Sequence, residues 1–221
     1  TPEECRVLGV LVEKAQTTPQ QYPMTVNGLI SGCNQKNNRD PIVTYDEDAV
    51  LDALDGLRGK GLARQVEMSG SRVPKYRHVA REALSIDTNQ LVVLTELLLR
   101  GPQTMGELRG RASRMHPIES LDVVKNILQT LMEREEPLVK QLPPLAGSRA
   151  DRYAHLLCPQ LIEHARAEAN ASSTYAKTIA TPHAVTSTAS GVLERRVDEL
   201  EREVRDLKDA GLGSLPGGGA E

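Results

Sequence analysis

The chain has 221 residues, 27 of them basic and 30 acidic, for a net charge of −3; it has five Tyr but no Phe and no Trp. That length suits two small domains, with cores built from Leu, Val, Ile, Ala and Met. Basic and acidic residues number 11 and 11 over 1–85, 9 and 10 over 86–164, and 7 and 9 over 165–221, which excludes a protein that holds nucleic acid by bulk positive charge. The missing Phe and Trp argue against single-strand binding by base stacking, leaving Tyr22 and Tyr45 a smaller part. Cys5, Cys33 and Cys158 are odd in number and far apart, so reduced thiols and a cytoplasmic location are expected. No apolar run approaches the roughly 18–20 residues of a membrane span, and the start lacks the pattern of a signal peptide. The first residue is Thr, so some preceding residues are expected to be missing or removed.

Thr1-Pro2-Glu3-Glu4 reads as a helix start, with a Thr cap, Pro at the first position and Glu4 placed for a capping box. Val7, Leu8, Leu11 and Val12 share a face, and the helix is expected to end near Gln16. Thr25 caps a second helix whose Val26, Leu29, Ile30 and Cys33 recur at helical spacing. The amide-rich run Cys33 to Pro41 follows, either a self-satisfied connector or a contact loop in which Lys36 and Arg39 meet phosphate. Ile42 to Tyr45 reads as a short strand. Asp46 then opens a third helix with Val50, Leu51, Leu54 and Leu57 inward; its acidic start suits the helix dipole and opposes phosphate. Leu62 to Glu67 and Val73 to Val79 make a hairpin around Gly70-Ser71-Arg72, with Arg72, Lys75 and Arg77 as its cations.

Gly147-Ser148-Arg149, followed by Arg152, Tyr153 and His155, repeats Gly70-Ser71-Arg72, Lys75, Tyr76 and His78 some 77 residues later. The repeat implies one unit used twice. Asp87 and Gln90 again predict a capping box, Leu91, Leu94, Leu97 and Leu98 an inward face, and Thr104 a cap matching Thr25. The next helix carries Arg109, Arg111 and Arg114, a solvated face or a site for an anionic partner. Glu119 to Arg134 predicts another third helix, with Ile127, Leu128 and Leu131 set against Val50, Leu51 and Leu54 at the 77-residue offset. Acids at both its ends make it a poor major-groove reader.

The strings TTPQQYPMTVNGLISGCNQKNNRDP and LLLRGPQTMGELRGRAS, with the paired GSR and Y.H segments, resemble the YceH-type family of uncharacterised bacterial proteins over about residues 1–158. The resemblance implies a tandem winged-helix fold in a cytosolic bacterial protein and carries no catalytic residues.

Beyond the repeat, Pro159 to His164 reads as a helical extension, and 165–190 as an Ala/Ser/Thr-rich linker. Leu193, Val197, Leu200, Val204 and Leu207 then form a heptad seam within 191–210, with Arg196 facing Glu201 and Glu203 facing Lys208 in a parallel pair. A homodimer is the expectation, the alternative being an amphipathic helix folded onto its own chain. Residues 211–221 read as a flexible tail.

The whole is expected to be mainly α with small β-hairpin wings: winged-helix domains at 1–85 and 86–164, then linker, coiled-coil helix and tail. His78, His116, His155, His164 and His183 lack metal-site spacing, and no phosphate loop or nucleophile motif is present. No metal, cofactor or catalytic residue is expected. Two functions remain. One is non-enzymatic binding of double-stranded DNA through Lys36, Arg39, Arg72, Lys75, Arg77, Arg109, Arg111, Arg114, Arg149 and Arg152. The other is a protein-interaction adaptor that uses the acidic third helices.

Overall fold

The computed structural model describes residues 1–67, 73–145, 147–161 and Arg202. Arg72 and its hairpin tip, residues 162–164 of the expected extension at Pro159 to His164, the linker, the seam of Leu193, Val197, Leu200, Val204 and Leu207, and the tail lie outside the described residues. All named elements fall within the unit Thr1–Ser173. They are mainly helical, with two small antiparallel sheets.

The first half runs α1 (Pro2–Thr17), a single 3-10 turn (Pro19–Gln21), α2 (Val26–Cys33), α3 (Glu47–Gly59), β1 (Ala63–Val66), β2 (Lys75–His78) and a short α4 (Ala80–Ala83). The second runs α5 (Thr88–Arg100), β3 (Gln103–Thr104), α6 (Met105–Ala112), α7 (Leu121–Met132), β4 (Val139–Leu142) and β5 (Arg152–His155). The helices begin where polar side chains satisfy their first amides. Thr1, Thr25, Asp46, Asp87, Thr104 and Ser120 each accept from a backbone N–H one turn on, and Thr1, Asp87 and Thr104 complete capping boxes. Gly101, at φ +68°, ends α5 in a backbone conformation that a side chain would strain.

β1 pairs antiparallel with β2, Ala63 opposite His78, and β5 lies between β3 and β4. The first half has a counterpart to β3 in Met24, which exchanges backbone hydrogen bonds of 3.0 and 2.7 Å with Tyr76. Both halves therefore set a short edge after their first helix against the second hairpin strand.

Ile42 to Tyr45 forms no strand. The Asn34 amide takes over the backbone groups of Tyr45, donating to its carbonyl at 2.8 Å and accepting from its N–H at 2.8 Å. Tyr45 is thus satisfied by a side chain instead of a neighbouring strand, and Ile42 is left 62% exposed.

The third helices correspond at 74 residues, not 77. Val50, Ala53, Leu54 and Leu57 are buried on α3, and Val124, Ile127, Leu128 and Leu131 on α7. Leu51 is only half-buried. The connection from α3 to β1 is three residues shorter than that from α7 to β4, so the offset seen in the hairpin does not extend back into the helix.

α1 and α5 are the central helices. Residues 4–13 of α1 and 91–99 of α5 are buried on every side, the pattern of a helix enclosed by others. They approach closely because Gly9 leaves room for Leu99: a Cβ on Gly9 would stand 2.8 Å from Leu99 Cδ2. One continuous core joins Leu8, Leu11, Leu29, Leu54 and Leu57 with Leu94, Leu97, Leu108, Leu128 and Leu131.

Candidate functional site

The run from Asn34 to Pro41 is tied down from several sides. Arg39, expected at a nucleic-acid surface, is not there: its side chain is 0% exposed. It donates to Glu13 Oε1 at 3.2 Å and Oε2 at 2.6 Å, to the Gly32 carbonyl at 3.0 Å and to Gln35 Oε1 at 3.1 Å. Burial pushes the Glu13 carboxyl up, but the hydrogen bonds and charge of Arg39, with those of Lys14, outweigh it and hold the carboxyl below its usual range. Arg6, also buried, donates to the carbonyls of Cys33 (3.1 Å) and Pro41 (2.7 Å) and closes the two ends of the run. The exposed residues of the run are Lys36, Asn37, Asn38, Asp40 and Pro41.

Asn38 sits at φ +62° and presents its side-chain oxygen to the second half, where Arg100 and Arg114 both donate to it, the latter at 2.7 Å. Arg114 also meets the buried Glu96 carboxylate at 3.1 Å, and Arg100 lies 3.7 Å from the other oxygen. Arg111 donates to Gln103 Oε1 at 2.6 Å and pairs with Glu107 at 3.2 Å; Arg109 donates to the Glu119 carbonyl at 3.0 Å. The fold thus brings Arg111 and Arg114 together with Arg100, and it answers their charge with its own Glu96 and Glu107. Glu96, set among the Leu and Val residues of α5, gave no sign in the sequence of organising this cluster.

The first hairpin differs. Arg64 stands directly opposite Arg77, and two residues along the strands Lys75 stands opposite Val66. Alternation puts Arg64, Lys75 and Arg77 on one face, with Tyr76 on the buried face. No acid lies within 4 Å of any of the three cations among the described residues. Like charges placed opposite one another across a strand pair cost stability. Arg64 is an addition to the expected set, detectable once the hairpin register is known. On the second hairpin Arg149 is exposed near the tip, and Arg152 is half-buried opposite Leu142.

The exposed faces of the third helices contrast. That of α3 carries Glu47, Asp48, Asp52 and Asp55, the last paired with Arg58 at 2.8 Å; that of α7 carries Lys125, Asn126, Gln129 and Thr130 between Asp122 and Glu133.

Two clefts flank the first-helix pair. One, of about 210 Å³, is walled by Arg6, Pro41, Tyr45, Leu98, Arg100 and His155; the other, of about 330 Å³, by Tyr22, Arg77, His78, Arg81 and Glu82. The repeat-equivalent histidines thus line one cleft each, and Nδ1 of each is buried without a hydrogen-bond partner. Burial lowers the pKa of both, that of His155 to about 4, so the imidazoles are neutral near pH 7. Among the described residues no three His, Cys, Asp or Glu side chains group as metal ligands, and no helix is long and apolar enough to cross a membrane.

The sequence pattern of the family described as "Protein of unknown function, DUF480" matches residues 1–148. The chain is similar to a UPF0502 protein of Koribacter versatilis, 46% identical over 206 residues that cover 93% of this chain and 89% of the relative. It is similar also to UPF0502 proteins of Geobacter sulfurreducens, at 53% identity, and Pelobacter propionicus, at 54%, each over 154 residues and 70% of both chains. All the described elements except β5 lie inside the matched residues 1–148, and the chain belongs to the DUF480 family.

Proposed function

We propose that this chain is a non-enzymatic, cytoplasmic tandem winged-helix protein that binds double-stranded DNA, and that the heptad seam beyond the described residues pairs two copies. The winged-helix reading is supported by the order shared by the two halves: helix, short edge, helix, helix, hairpin, with the edge paired to the second hairpin strand. The observation that carries the DNA reading is the outer face of the first hairpin. Arg64, Lys75 and Arg77 crowd together there without acidic partners among the described residues, an arrangement that loses stability in isolation and gains it against phosphate. The hairpin therefore supplies the local basic stripe that a chain of net charge −3 needs.

Fluorescence anisotropy with a random duplex, titrated from low to physiological salt, tests the reading. Binding is expected to fall steeply with salt, and the Arg64→Ala, Lys75→Ala, Arg77→Ala triple variant is expected to flatten the log–log slope by roughly 2 to 3. Absence of binding at low salt overturns it. The acidic face of α3 favours a second reading, an adaptor that docks a basic protein surface there. Under that reading, charge reversal at Asp52 and Asp55 abolishes partner binding and leaves DNA affinity unimproved.

A further inference from the structure

We infer that the two halves have divided the work of DNA recognition: α7 reads bases in the major groove, and α3 is kept out of it. This rests on the DNA-binding reading above and names the surface that gives it sequence specificity. The two helices hold equivalent places, since their caps, Asp46 and Ser120, and their buried faces correspond at one offset. What differs is the side turned to solvent. On α3, Glu47, Asp48 and Asp52 would bring three carboxylates against the phosphates that border a groove, while Asp55 is paired with Arg58 at 2.8 Å.

On α7 the exposed middle is built from groups that recognise base edges. Asn and Gln match the donor and acceptor of adenine, and Lys the acceptors of guanine. Lys125 has no ion pair, and the Asn126 amide no hydrogen bond, among the described residues. Gln129 gives its amide to Glu133 at 2.8 Å in an exposed contact that base binding replaces. Asn126 and Gln129 are three residues apart and share a face of the helix, about 4.5 Å from one another along its axis, against about 3.4 Å between successive base pairs. The acids that make this helix read as a poor groove binder in the sequence stand at its ends, Asp122 in the first turn and Glu133 at the C-cap, and the turns between them carry none.

Selection of bound duplexes from a random library by the full chain, followed by affinity measurement on the selected site, tests the division. The full chain is expected to select a motif with adenines at two neighbouring positions. Asn126→Ala and Gln129→Ala, which change no charge, are expected each to lose about 5- to 150-fold discrimination at one of those positions. Their affinity for random duplex and its salt slope should stay as in the parent, and unchanged thermal melting shows that the variants fold. Asp52→Ala is expected to leave the motif untouched. Salt-dependent binding with the same motif in both α7 variants overturns this inference and leaves the DNA reading standing, whereas no binding by the parent at low salt overturns the DNA reading itself.

Discussion

A guanidinium without exposed surface stays charged only if its neighbours replace the water it has lost. Arg39 meets that condition through both oxygens of Glu13 and the carbonyl of Gly32. Arg39→Ala leaves the buried Glu13 carboxylate with Lys14, at 3.2 Å, as its remaining cation, so it is expected to cost about 3 kcal/mol in urea unfolding, the low end for a broken buried pair. The same variant should leave DNA affinity unchanged once folded, because the residue has no surface to offer. The sequence showed a cation in an amide-rich run but not the acid that binds it, which lies 26 residues earlier on α1. His155 gives a pH dependence. Its folded pKa of about 4 is below the unfolded 6.5, so both states are neutral above pH 6.5 and stability there is full. Between pH 6.5 and 4 the unfolded chain takes up a proton that the folded one refuses, and stability falls, by about 2 kcal/mol at pH 5 from this residue alone. His78, shifted in the same direction, adds to the loss. Urea midpoints at pH 7.5 and 5 check this, and His155→Leu should reduce the difference.

At the scale of elements, caps and apolar faces were legible because both are local: a polar side chain three residues before an amide, and a stripe one helical turn apart. What was not legible depends on distant partners. Ile42 to Tyr45 has the composition of a strand, but Asn34 occupies the backbone groups of Tyr45 that a neighbouring strand would take. β3, only two residues long, exists because Gln103 and Thr104 lie beside Tyr153 and Arg152. Element packing turns on single atoms as well. Gly9 on α1 faces Leu99 on α5, and Gly32 on α2 faces Val10 so closely that a Cβ would meet its Cγ1 at 2.6 Å. Gly9→Ala and Gly32→Ala are each expected to destabilise the protein by about 1–3 kcal/mol, because the added methyl forces helices apart in a filled core. The gain in helix propensity offsets at most about 1 kcal/mol of that. An unchanged melting temperature for both variants would show that the helices have more slack than their contacts indicate.

On the scale of the whole molecule, the repeat and the packing describe different things. A duplicated string marks where the chain starts a unit again, and the turn at Ser85, with φ +51°, falls at that point. It cannot tell whether each unit encloses its own core, because an apolar face reads alike whether it meets its own half or the other one. Here α1 and α5 each present apolar surface to the other, Asn38 of the first half is held by Arg100 and Arg114 of the second, and Arg134 donates to the carbonyls of Leu84 and Ser85 at 2.6 and 3.2 Å. Cut at residue 85, the first half would leave the α5-facing side of α1, around Gly9, in water, at about 25 cal/mol for each Å² of apolar surface exposed. A segment of that size has little stability in reserve. Residues 1–85 expressed alone are therefore expected to show no cooperative urea transition by far-UV circular dichroism. In the full chain, amides of α1 and α5 should exchange with solvent at one common free energy, as parts of a single cooperative unit. A fragment that melts cooperatively, or separate exchange energies for the two helices, would mean that the halves fold independently and that their contact is a docking surface between finished domains.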